Sequence, residues 1–191
     1  MAIILASQSP RRRELLERLG LDFSVRAADI DETMDPAAAP EEEVARVSRA
    51  KALAVPAEAE DVVIAADTIV VCGGRVLGKP QSPEAAKAML RLLSGRDHQV
   101  MTGLTLRAGG RLTTQTEISH IFFRTLLEPE IEAYVRTGEP LDKAGAYGIQ
   151  GKAALFVERL EGDFYNVMGL PLCALTQRLR GLGVEILGVS L

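Results

Sequence analysis

The sequence predicts an α/β fold in which helices pack on a mixed β-sheet. Three observations predict it. Short apolar runs alternate with amphipathic stretches of helical length, a strand, cap-rich turn and helix open the chain, and residues 99–123 are rich in β-formers.

Residues 3–6 are continuously apolar and end in small polar residues, as a short buried strand does. Ser7 and Ser9 supply helix N-caps, and Pro10 suits a first helical turn. Residues 11–19 carry Leu15, Leu16 and Leu19 on one face, with Gly20 as the closing residue. A second strand is expected over 23–27, then an acidic, Ala/Pro-rich loop over 29–40. Residues 41–55 form a helix that begins with Glu41, Glu42 and Glu43 and later carries Arg46, Arg49 and Lys51, a charge order that complements the helix dipole.

Residues 62–66 read as a strand covered on both faces, broken at Asp67-Thr68 and resumed over 69–72. Gly73-Gly74 marks a hairpin into residues 75–77. A helix follows from Ser82-Pro83-Glu84 to about Leu93, then strands over 98–106 and 113–123 around the Gly109-Gly110 turn. Another helix runs from Glu128-Pro129 to about Thr137. Gly145, Gly148 and Gly151 punctuate a loop, residues 154–157 read as a strand, 171–182 as the last helix and 184–187 as a final strand. Residues 1–191 are expected to form a single domain, with a β-rich stretch at roughly 99–157 as a candidate second lobe.

Charge excludes some functions. The 22 Lys+Arg against 26 Asp+Glu leave a net charge of −4, so there is no excess positive field for a nucleic-acid backbone. Aromatics at 4% and the absence of Trp leave few stacking platforms. Hydrophobic residues at 47% and charged ones at 25% suit an ordinary soluble domain. Mean hydropathy is +0.11, and the apolar runs are too short to span a membrane or to act as a signal peptide. Cys72 and Cys173 lack CxxC spacing, which argues against a disulfide framework or zinc site and for a reducing cytoplasm. Apolar hairpin edges make a homodimer a candidate assembly.

Four segments carry chemistry. In residues 7–13, helix N-terminal amides and arginines suit an anion; the competing interpretation is a capped helix with solvated arginines. Three arginines in a first turn oppose the dipole, which favours the anion. Residues 73–79 fit the start of a P-loop, but Pro80 stands where its Ser or Thr would hold magnesium, so a Walker site is rejected. Lys79 can still reach a phosphate as a point charge, although spacing alone favours a solvent-facing lysine. Asp67 lies between two strongly apolar runs, where a carboxylate is costly unless paired, hydrated or bound to metal. A strand-end turn capped by Asp67 and Thr68 is the plainer alternative. Asp31 and Glu32 are acidic neighbours that a cation could recruit. In residues 139–151 the glycines admit a flat ligand and Gln150 offers both donor and acceptor to a base edge; a surface loop is the alternative. His98 and His120 lack metal-ligand spacing and read as structural.

Together Ser7-Gln8-Ser9-Pro10-Arg11-Arg12, Ala66-Asp67-Thr68, Gly78-Lys79-Pro80, Ser94-Gly95 with His98, residues 139–151 and the run Asp163-Phe164-Tyr165-Asn166-Val167-Met168-Gly169-Leu170-Pro171 resemble the Maf family. These are nucleoside triphosphate pyrophosphatases historically linked to septum formation. The resemblance implies an inosine-triphosphatase-like elongated mixed β-sheet flanked by helices, with two lobes and the site in a cleft between them. The run from Asp142 to Gly151 looks like the subgroup acting on dTTP and UTP rather than on 7-methyl-GTP. Carried onto this chain, the resemblance makes Asp67 the proton acceptor and places Arg11, Thr68 and Gln150 at specificity positions. It assigns Ser7, Arg11, Lys51 and Lys79 to phosphate, and Asp67 with Glu32 to a divalent cation, Mg²⁺ or Mn²⁺. The partner expected is a nucleoside triphosphate, with no nucleic acid and no membrane. The alternatives are a non-enzymatic nucleotide-binding regulator of cell division and a phosphotransferase, the latter weakened by Pro80.

Overall fold

A computed structural model describes residues 1–27 and 29–189. Among the described residues seven strands, β1 (Ile3–Leu5), β2 (Phe23–Val25), β3 (Val62–Cys72), β4 (Arg75–Leu77), β5 (Asp97–Ala108), β6 (Arg111–Phe123) and β7 (Val157–Glu161), form one mixed sheet in the order β2-β1-β3-β5-β6-β7, with β4 paired to β3. The chain divides into two compact units. One comprises Met1–Asp67, Thr102–Glu117 and the described residues from Gly169 onward; the other comprises Thr68–Met101 and Ile118–Met168.

In the first unit, β1 (Ile3–Leu5) is buried throughout and runs parallel to both β2 (Phe23–Val25) and β3 (Val62–Cys72). Helix α1 (Pro10–Glu17) is capped by Ser9, whose hydroxyl accepts from the Arg12 amide, and buries Leu15 and Leu16. Helix α2 (Pro40–Ala54) buries Val44, Val47, Ser48, Lys51 and Ala52, the spacing of one helical face. Its Ala52, together with Val55, packs on Ile4 and Ala6 and on Val63 and Ala65 of β3. The helix also lies hard against β5 (Asp97–Ala108): a Cβ on Gly103 would stand 2.4 Å from the Val44 carbonyl oxygen. Only a residue without a side chain permits that approach. Ser48 and Thr105 pair their hydroxyls at 2.7 Å across the same contact.

In the second unit, the Gly73-Gly74 turn joins β3 to β4 (Arg75–Leu77), which pairs antiparallel with β3. Helix α3 (Pro83–Leu93) takes Ser82 as its N-cap, and helix α4 (Glu128–Arg136) follows β6 (Arg111–Phe123). Strand β7 (Val157–Glu161) pairs antiparallel with β6. The short helix α5 (Phe164–Met168) carries Asn166, whose amide donates to the Val100 carbonyl and the Ser119 hydroxyl. Helix α6 (Leu172–Arg180), in the first unit, buries Leu172, Leu175 and Leu179.

Three expectations need correction. Asp67-Thr68 does not break the strand: β3 runs unbroken from Val62 to Cys72, because the carboxylate is satisfied without its backbone leaving the sheet. Of residues 154–157 only Val157 is in a strand; Lys152–Phe156 is a 3₁₀ turn that buries Ala153 and Phe156, and β7 begins only at Val157. A short apolar run of this length has no period that separates turn from strand. Residues 184–187 form no strand either. Leu187 and Gly188 adopt positive φ, and the chain folds back so that Ile186 bridges Val189 alone. Helix α5 was not anticipated, since its five residues are too few for a periodic signal.

Candidate active site

Side chains alternate along a strand, so Val63, Ala65 and Asp67 share one face of β3. Val63 and Ala65 pack under Ala52 and Val55 of α2, and the face they define brings Asp67 to Lys51 on the same helix. The Lys51 ammonium donates to Asp67 Oδ1 at 2.7 Å and reaches Glu32 Oε1 at 2.9 Å. The side chains of Lys51 and Asp67 are only 9% and 11% exposed, whereas that of Glu32 is 55% exposed. One cation is thus held by two carboxylates, with a wet side at Glu32.

Arg12 extends this charge cluster. Its Nε donates to the Gly169 carbonyl at 2.7 Å and its Nη1 to the Ser7 hydroxyl at 3.3 Å. Burial lowers the Arg12 guanidinium from its ordinary value; Asp67 and Glu32 act in the opposite direction, and Arg11 adds to the lowering. Ser7 is buried and its oxygen also accepts from the Ser9 amide, which ties down the turn into α1. Arg11 is half-buried at the second residue of α1.

The second unit carries Thr68, Lys79 and Gln150. Thr68 is half-buried in β3, and Lys79 is exposed just beyond β4. The Gly145 amide donates to the Gly78 carbonyl at 3.1 Å, which ties the residue before Lys79 to the 139–151 segment. Tyr147 is buried: its hydroxyl lies 2.8 Å from His98 Nε2, and its ring packs edge-on against Phe123. Gln150 is exposed in a turn closed by the Gly151 amide donating to the Gly148 carbonyl at 2.9 Å. The P-loop start is excluded in the structure too, because Gly73-Gly74 is a hairpin turn and the next helix begins only at Pro83.

The structure brings Ser7, Glu32, Lys51 and Asp67 into one unit, three of them in direct ionic contact. It adds Arg12, which the sequence presents only as a member of the arginine cluster in residues 7–13. Arg12 lies three and four residues before Leu15 and Leu16, on the helix face those leucines bury, and that spacing was the available signal. Among the described residues no three His, Cys, Asp or Glu side chains form a ready-made metal centre. Two carboxylates converging on one cation do fit Mg²⁺ or Mn²⁺, which are commonly held by one or two carboxylates with substrate phosphates and water. Among the described residues no helix is long and apolar enough to cross a membrane.

This arrangement of sheet and helices is similar in fold to the Staphylococcus aureus Ham1 protein, with a TM-score of 0.51 and 18% identity over 95% of this chain and 99% of that one. A sequence profile described as "Maf-like protein" matches residues 2–182, and the chain belongs to that family. It is 51% identical over 191 residues to a Moorella thermoacetica protein named dTTP/UTP pyrophosphatase, covering 97% of each chain. It is 48% identical over 188 residues to a Hahella chejuensis protein of the same name, covering 96% of this chain and 94% of the relative.

Proposed function

We propose that this protein hydrolyses nucleoside triphosphates, dTTP and UTP preferentially, at the linkage between the α- and β-phosphates, releasing a nucleoside monophosphate and pyrophosphate. The observation that carries the chemistry is the buried Asp67 carboxylate held at 2.7 Å from Lys51, with Glu32 on the exposed side of the same ammonium. The base preference is supported by the two relatives, each named dTTP/UTP pyrophosphatase, and by their near-complete coverage.

In the reaction a water oxygen bonds to the α-phosphorus while the bond to the bridging oxygen breaks. Asp67 accepts the water's proton, and pyrophosphate departs with the bridging electron pair. Ser7, Arg11, Lys51 and Lys79 offset the charge of the polyphosphate. Asp67 and Glu32 would hold the divalent cation, which when bound neutralises phosphate charge and lowers the electrostatic barrier to attack. Positioning and electrostatic stabilisation do most of the work in such a loose transition state. Thr68 and Gln150 hydrogen-bond the pyrimidine edge, and a wrong base leaves those polar groups unpaired.

Incubation of the protein with dTTP and Mg²⁺ in ¹⁸O-water tests the assignment. Pyrophosphate with labelled dTMP in equal amounts is expected, and chelation should stop the reaction until Mg²⁺ or Mn²⁺ is restored. Release of inorganic phosphate with dTDP would contradict it.

A further inference from the structure

The turn that presents Gln150 is fastened by a single carboxylate from another stretch of chain. Glu139 Oε1 accepts from the Tyr134 hydroxyl at 3.0 Å, and the Tyr134 oxygen accepts in turn from the Gly148 amide at 3.2 Å. Glu139 Oε2 accepts from the Lys152 amide at 3.2 Å. The two oxygens of one side chain therefore tie the two ends of the 148–152 turn, one directly and one through a phenol. The fit is close. A Cβ on Gly151 would stand 2.0 Å from Glu139 Oε1, and one on Gly148 would stand 2.7 Å from Lys143 Cε, whose ammonium donates to the Glu139 carbonyl at 2.7 Å. Tyr134 is itself buried and stacked edge-on against Phe156, so the relay is anchored at its far end as well.

We propose that Glu139, with Tyr134 as its relay, is a positioning residue for base selection: it sets the conformation of the 148–152 turn and so the direction in which Gln150 offers its amide. The inference rests on the assignment of Gln150 to the base. A carboxylate suits the task because both groups bonded to it, the Tyr134 hydroxyl and the Lys152 amide, are donors. In Glu139→Gln one of its two acceptors becomes an NH₂ donor facing the Tyr134 hydroxyl or the Lys152 amide. In Tyr134→Phe the Gly148 amide loses its acceptor while the carboxylate stays.

Steady-state kinetics with dTTP and GTP, on Glu139→Gln, Tyr134→Phe, the double variant and Gln150→Ala, tests this. In both single variants KM for dTTP should rise roughly 10- to 100-fold, the range for a lost hydrogen bond to a charged group. The dTTP-to-GTP ratio of kcat/KM should fall with kcat largely kept, and the double variant should be no worse than the poorer single one. A merely structural Glu139 would lower Tm and leave KM and the ratio alone. Wild-type KM and ratio in either folded single variant overturns the proposal. Lost preference in Gln150→Ala beside unaltered clasp variants keeps Gln150 and removes Glu139. The converse keeps the clasp and removes Gln150 as selector.

Discussion

Lys51 on α2 and Asp67 on β3, sixteen residues apart in sequence, meet through a 2.7 Å charge-assisted hydrogen bond between two buried side chains of the first unit. The pairing explains how a carboxylate can sit inside a strand that is apolar on both sides of it. Each charge offsets the desolvation of the other, and Glu32 adds a second acceptor from the wetter side. The same proximity gives the proposed proton acceptor a fixed orientation and a cationic neighbour for phosphate.

Removing one partner should be costly. Lys51→Met leaves Asp67 buried beside a methyl group, and a loss of about 3–5 kcal/mol is expected from urea unfolding. Glu32→Gln, at an exposed carboxylate, should change stability by less than about 1 kcal/mol. Equal losses in the two variants would mean that the Lys51–Asp67 contact does not carry the burial.

The buried His98 makes stability pH-dependent. Desolvation pushes its imidazole down to about 4 from 6.5, with Asp97 acting weakly the other way, and among the described residues its Nδ1 has no hydrogen-bond partner. The unfolded chain takes up a proton near pH 6.5 and the native protein only near pH 4. This contribution to stability is therefore complete above pH 6.5 and is lost as pH falls through that window, by roughly 3 kcal/mol in all. His98→Phe should flatten that part of the Tm-against-pH curve, at a constant cost from the Tyr147 hydroxyl left unpaired. An unchanged slope would exclude His98 as its source.

Gly103 marks where α2 touches the sheet. In Gly103→Ala the new methyl would press on the Val44 carbonyl carbon and oxygen, which are backbone atoms and cannot rotate away. Destabilisation of about 1–3 kcal/mol is expected from thermal or urea melts. Because Lys51 rides on the same helix, turnover should fall as well. Wild-type stability would show that α2 moves freely over β5.

Local signals in the sequence reached much of this structure. The caps before α1, the glycine pairs after β3 and β5, and the charge order of α2 depend on neighbours within a few residues. Asp67 was conspicuous as a lone acid among apolar residues. Its partner was not, because the Lys51 contact depends on which face of β3 lies under α2. Arg12 is hidden for a different reason: the arginines of residues 7–13 point to an anion as a group, and only the burial of Leu15 and Leu16, which fixes the helix rotation, singles out Arg12. The Glu139 clasp joins α4 and a short 3₁₀ turn to the 148–152 turn, and no period links a carboxylate to amides nine and thirteen residues away.

The central claim is that Asp67 takes the proton from the attacking water, and the pyrophosphate release rate of Asp67→Asn tests it most directly. With dTTP and Mg²⁺, and with folding verified by circular dichroism and Tm, a loss on the order of 10²–10⁴ in kcat is predicted. Turnover at the wild-type rate in the folded variant would contradict the mechanism.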